Sequence, residues 1–66
     1  MVAARRLKRW RKRLGYTQAE AARLAEIPQP MWSKLESGSA PRVSVATAAK
    51  IDRLTDGEIG VLDWVR

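Results

Sequence analysis

Thr17-Gln18-Ala19-Glu20-Ala21-Ala22-Arg23-Leu24-Ala25-Glu26-Ile27-Pro28-Gln29-Pro30-Met31-Trp32-Ser33-Lys34-Leu35-Glu36-Ser37-Gly38 holds two helical signals on either side of one proline-marked turn. Thr17 can cap a helix with its hydroxyl, and the alanine-rich run that follows favours helix over about 18–25 while letting a neighbour approach closely. A larger side chain at Ala22, at the expected crossing point, would push the two helices apart. The residue before a proline is driven out of helical geometry, so Glu26-Ile27-Pro28 ends that helix after barely two turns. A second helix is expected over about 29–37. Pro30 falls in its first turn, where a missing N–H is tolerated, and Gly38 stops it. Trp32 and Leu35 mark its buried side.

Working outward, Leu7, Trp10 and Leu14 share one stripe of an otherwise basic first helix, which Gly15 should end. After a polar loop, Ser39-Ala40-Pro41, the residues Val45, Ala48, Ala49, Ile51 and Leu54 outline a fourth helix ending near Thr55. Asp56-Gly57 signals a turn. Glu58 to Val61 fits a short strand with Ile59 and Val61 on one face, and Leu62 and Trp64 form a last apolar patch. The expected fold class is all-α: a compact domain of four to five helices, with a short C-terminal strand as an option.

The chain has 66 residues, which allows one domain across 1–66 and no separate effector domain. A domain of this size buries only ~60% of the surface its unfolded chain exposes. It contains no cysteine and no histidine. That removes disulfides, zinc fingers, Cys-His and Ser-His-Asp nucleophile machinery and imidazole acid–base chemistry. Asp52 and Asp56 stand four apart, but with no nucleophile–base pair beside them they suggest solvation rather than catalysis. The expectation is therefore not an enzyme, with no metal, cofactor or small-molecule ligand. Without staples, small helical domains often rely on oligomerisation, and a homodimer is expected.

Thirteen Lys and Arg oppose seven Asp and Glu, a net charge of +6. The excess lies in residues 1–13, where Arg5, Arg6, Lys8, Arg9, Arg11, Lys12 and Arg13 stand without an acid. Such density points to a polyanionic partner. The apolar start is only Met1 to Ala4, too short for a signal peptide, and no run approaches the ~20 apolar residues of a membrane span. A soluble cytoplasmic protein, in a bacterial or phage-infected bacterial cell, is the expectation. A membrane-surface peptide fits poorly, because Leu7, Trp10 and Leu14 alone make a narrow apolar stripe.

Two short helices joined by a tight turn, the second with an open polar face and a basic helix nearby, meet the physical specification of a helix-turn-helix. The residues Thr17-Gln18-Ala19-Glu20-Ala21-Ala22, Ile27, Gln29, Trp32, Leu35 and Glu36-Ser37-Gly38 resemble the Cro/repressor family of phage and bacterial regulators. The resemblance runs without a gap from about Leu7 to Arg42 and implies a lambda-repressor-like helix-turn-helix domain. It also implies that Arg11 pairs with Glu36. Two departures stand out. The family usually has glycine where Glu26 stands, because positive φ is common there, so the turn is expected to be strained or differently shaped. Pro28 cannot supply the side-chain cap that Ser or Thr would.

Opposite Trp32 and Leu35 on a helical wheel lie Pro30, Ser33, Lys34 and Ser37, with Gln29 at the N-terminal end. In a major groove, Gln29 suits adenine, Lys34 guanine, Ser33 either, and Pro30 a thymine methyl. By resemblance, Gln18, Ser37 and Arg42 contact the phosphate backbone. Arg5, Arg6 and Arg9 are further candidates, for phosphate or an adjacent minor groove. The tail, about 56–66, resembles the dimerising region of small Cro-like regulators, so Ile59, Val61, Leu62 and Trp64 are expected at a dimer interface. Equally, they could cap the monomer's own core. Two subunits would set recognition helices about 34 Å apart on a palindromic double-stranded DNA operator. The implied activity is transcriptional repression by occluding a promoter, its own being one option. An antitoxin or an anti-CRISPR-associated autorepressor would use the same residues, and an RNA-binding protein would use the Arg-rich first segment instead.

Overall fold

A local device sets the end of nearly every helix in the computed structural model, which describes residues 2–39 and 42–64. Helix α1 spans Val2–Arg13, with Arg11, Lys12 and Arg13 in its last turn, where cations oppose the negative end of the helix dipole. It closes in a Schellman arrangement: Tyr16 N–H reaches the Arg11 carbonyl and Gly15 N–H the Lys12 carbonyl, both at 3.1 Å. Gly15 sits at φ 77°, as that closure requires.

Helix α2, Gln18–Ala25, opens with a capping box: Thr17 Oγ1 accepts from Glu20 N–H at 3.1 Å, and Glu20 Oε1 accepts from Thr17 N–H at 2.9 Å. It closes like α1, with Ile27 N–H on the Ala22 carbonyl and Glu26 N–H on the Arg23 carbonyl. Here the left-handed residue is Glu26, at φ 62° and ψ 41°. The turn therefore keeps the geometry that favours glycine; it is strained rather than reshaped. Lys50 Nζ donates to the Glu26 carbonyl at 3.2 Å and fixes the turn to α4. Since the Glu26 side chain is exposed, Glu26→Gly should raise stability by about 1 kcal/mol and the melting midpoint by about 4–8 °C. An unchanged or lower midpoint in a calorimetric scan would contradict a strained turn.

Helix α3, Gln29–Ser37, starts after Pro28, which makes no side-chain cap, and ends at Gly38. Helix α4, Val45–Leu54, is capped by Ser44, whose Oγ accepts from Thr47 N–H at 3.1 Å. α3 packs on α1 and α2, while α4 packs on α2 and on a C-terminal 3-10 turn, Val61–Trp64, that also touches α1. Trp32 stands at 0% exposure amid Leu7, Trp10, Ala21, Ala22, Leu35 and Ile51. The fold is all-α, and among the described residues no strand occurs.

Four details differ from the sequence reading. The expected strand over 58–61 is a bend leading into the 3-10 turn: Asp56 and Gly57 both take positive φ, and no extended partner lies alongside among the described residues. Leu14 is 50% exposed because α1 stops at Arg13, and the buried stripe extends the other way through Ala3 and Ala4. Val45, in the exposed first turn of α4, lies outside the core. Ile59, at 0% exposure, and Trp64, at 8%, are spent on the chain's own core rather than on a partner. Thr55 makes this possible: its hydroxyl donates to the Ile51 carbonyl at 2.9 Å and accepts from Ile59 N–H at 3.1 Å, folding the tail back onto α4. In the Ser39-Ala40-Pro41 loop, Ala40 and Pro41 lie outside the described residues, as do Val65 and Arg66 of the tail.

Candidate nucleic-acid interface

On α3, Gln29, Pro30, Ser33, Lys34 and Ser37 are all exposed, while Trp32, Leu35 and Glu36 are buried. Nine residues at 3.6 per turn give just such a two-sided helix. None of the Gln29, Ser33 or Lys34 side-chain polar groups has a hydrogen-bond partner among the described residues. Ser37 is more committed: its hydroxyl donates to the Lys34 carbonyl at 3.1 Å and lies 2.7 Å from Ser39 Oγ. Met31 sits at the edge of the exposed face.

Behind that face lies one carboxylate with four donors. Arg11 binds Glu36 in a bidentate fork, Nε to Oε2 at 2.5 Å and a terminal nitrogen to Oε1 at 3.0 Å. Trp32 Nε1 donates to Oε2 at 2.5 Å, and Gln18 Nε2 to Oε1 at 3.1 Å. A further Arg11 nitrogen reaches the Tyr16 carbonyl at 2.8 Å. The Arg11–Glu36 pair implied by the family resemblance is thus present. Burial pushes the Glu36 carboxyl up, but the bonds from Arg11, Trp32 and Gln18 and the charge of Arg11 together outweigh it and hold the carboxyl below its ordinary value. The hydrogen bond from Glu36 likewise raises the Arg11 guanidinium above its ordinary value.

Gln18 is the piece that links this core to the surface. Its amide nitrogen carries two protons; one goes to Glu36, and the half-buried position leaves the other available to an outside acceptor. The capping box satisfies the Thr17 and Glu20 N–H groups, while those of Gln18 and Ala19 have no acceptor among the described residues. An anion at this end of α2 would meet open N–H groups and the positive end of the helix dipole.

The remaining candidates are spread out. Arg42 is exposed in the segment before α4. Arg5 and Arg9 are exposed on α1. Arg6 is turned to the tail, where it pairs with Asp63 at 3.2 Å and donates to the Glu58 carbonyl. It is therefore less free for phosphate than its sequence context implies. Arg13 pairs with Glu58 at 2.7 Å on the same side. Of the tail residues, Val61 is half-buried against the core and Leu62 is 82% exposed.

Sequence reasoning missed the bonds from Trp32 and Gln18 to Glu36. For Trp32 a signal existed, since residues four apart on a helix lie on one face. The ion pairs between α1 and the tail join residues 45 and 57 positions apart, and no local pattern announces them.

No helix among the described residues is long and apolar enough to cross a membrane. No curated protein and no solved structure gives a significant match to the chain. A family model described as a helix-turn-helix domain matches residues 3–60, from the start of α1 to just before the 3-10 turn, with α2 and α3 as the motif's two helices. The chain belongs to this helix-turn-helix domain family.

Proposed function

We propose that the chain is a sequence-specific double-stranded DNA-binding regulator that reads bases with α3 and acts as a dimeric repressor by occluding a promoter, in the manner of small Cro-like phage and prophage proteins. The observation that carries this reading is the two-sidedness of α3: Gln29, Pro30, Ser33 and Lys34 are exposed on a helix anchored from behind by Trp32, Leu35 and the Glu36 network. Rigid anchoring lets short polar side chains select bases, because their positions are set before binding.

In the groove, Gln29 bonds adenine through its amide, Lys34 donates to guanine O6 or N7, Ser33 bonds either, and Pro30 lies against a thymine methyl. Gln18, held by Glu36, donates its second proton to a phosphate at the open end of α2, and Ser37 and Arg42 contact phosphates beyond α3. Pairing of two copies through the tail rests on Leu62 and the accessible edge of Val61, since Ile59 and Trp64 face inward.

Binding carried by roughly six to ten phosphates per dimer falls by ~10³ to 10⁵ between 50 and 200 mM salt. Arg42→Ala should weaken binding about equally for all sequences and reduce the salt slope by about one, whereas Lys34→Ala should change base preference at one position. Fluorescence anisotropy on short duplexes across salt reads both. A slope unaltered by Arg42→Ala would remove Arg42 from the phosphate contacts, and binding without salt dependence would contradict the whole reading.

A further inference from the structure

Helix α1 has three sides, and two are occupied. Ala4 and Arg11 turn toward α3, where an added Cβ at Gly38 would stand 4.0 Å from Ala4 Cβ and where Arg11 holds Glu36. Arg6 and Arg13 turn toward the tail and pair with Asp63 and Glu58. At 100° per residue the third side, opposite buried Leu7, carries Arg5, Arg9 and Lys12, with Lys8 at its edge. All four are exposed, and none is paired with a carboxylate among the described residues.

This stripe extends over about 10 Å of helix axis, a length matching about three successive phosphates of one DNA strand at ~3.4 Å per phosphate along the duplex axis. It holds no exposed aromatic or large aliphatic side chain. Protein interfaces need an apolar centre, and a helix lying on a membrane needs an apolar face; the apolar face of α1 is already buried. A phosphate backbone asks only for closely spaced cations. The direction of the stripe then decides which backbone. α1 lies behind α3, joined to it through Arg11 and Glu36, while Gln29, Pro30, Ser33 and Lys34 face the other way. A duplex seated on the front of α3 stays on the far side of α3 from the stripe.

We infer that the Arg5-Lys8-Arg9-Lys12 stripe of α1 holds the backbone of a second DNA duplex, so that one protein molecule bridges two duplex segments. The inference rests on α3 being the DNA-reading helix. A protein already seated on DNA meets further segments of the same molecule at high effective concentration, so a weak, sequence-independent second site suffices.

The test immobilises a duplex on beads, loads the full chain, and measures capture of a free labelled duplex, for the native protein and for Arg5→Gln/Lys8→Gln/Arg9→Gln/Lys12→Gln. Glutamine keeps helix propensity, and Arg5→Gln/Arg9→Gln serves as a milder second variant if the fourfold one fails to show a native melting transition. At about 100 mM salt the native protein should capture the second duplex and the variant about tenfold less, while their affinities for a single duplex stay within about threefold. Three outcomes would overturn the inference: no capture by the native protein, which makes the stripe a solvated face; loss of single-duplex affinity in step with capture, which puts the stripe on the duplex that α3 reads; or capture displaced by structured RNA far better than by DNA. Failure of the α3 reading shows separately, as single-duplex binding indifferent to Lys34→Ala and to base sequence.

Discussion

Arg11→Met should cost about 3–5 kcal/mol, because it leaves the Glu36 carboxylate buried without its cation. The Glu36 side chain is 3% exposed and that of Arg11 12%, so solvent does little to replace the lost partner. A 66-residue domain has a total stability of about 3–10 kcal/mol at ordinary values per residue, so the variant should be largely unfolded or nearly so at 25 °C. The pH dependence supplies a second reading. In the native protein the Glu36 carboxyl is held below its ordinary value, near 4.5, so its contribution is complete above that pH and disappears as pH falls through the lowered folded value. Without Arg11 the largest influence, burial, opposes fewer bonds, and protonation relieves an unpaired charge. The stability gap between the two proteins should therefore narrow as pH falls from 7 to about 4. Urea unfolding at both pH values measures it. A loss below about 1 kcal/mol, or a gap that does not change with pH, would show that the buried pair contributes no more than an exposed one.

Trp32→Ala should cost a similar amount, about 3–5 kcal/mol, for a different reason: it empties the centre of the core, where the indole is wholly buried among residues of all four helices. The substitution also takes a donor from Glu36. Trp32→Phe separates the two effects. It keeps most of the ring and loses the N–H, and should cost about 1–3 kcal/mol, the range for a buried acceptor deprived of one partner. The order Ala well below Phe, and Phe measurably below native in chemical unfolding, is expected. Equal losses for both would mean that the hydrogen bond, not the volume, dominates at this position.

The parts of the fold that were legible in the sequence are those set by local chemistry. Thr17 and Glu20 announce the start of α2, Pro28 and Pro30 bracket the entry to α3, and Gly15 and Gly38 close α1 and α3. Each is decided within a turn of chain. The exposed face of α3 was legible for the same reason, since Trp32 and Leu35 fix which way a nine-residue helix must lie. Glu26 shows where a local rule names the right conformation without naming the residue that adopts it: tertiary contacts, the Lys50 bond among them, hold a glutamate in left-handed geometry.

The tail was not legible. The alternation of Ile59, Val61 and Trp64 suits a strand, a dimer surface or a cap on the monomer equally well. What decides among these is the Thr55 hydroxyl bond to Ile59 and the pairs from Arg6 and Arg13 to Asp63 and Glu58, all contacts formed only once α1 and α4 are in place. The same holds for the basic run of residues 1–13. Composition shows its charge, but only the packed structure divides it into a cation for Glu36, cations for the tail and a free outward stripe.

The claim that α3 reads base sequence meets its most direct test in selection from a random duplex pool, using the native protein and Lys34→Ala at two salt concentrations. The expected result is a palindromic motif with half-sites about one helical turn apart, altered at one position in each half by the substitution. Salt-sensitive binding that enriches no motif, or a motif that Lys34→Ala leaves untouched, would contradict it.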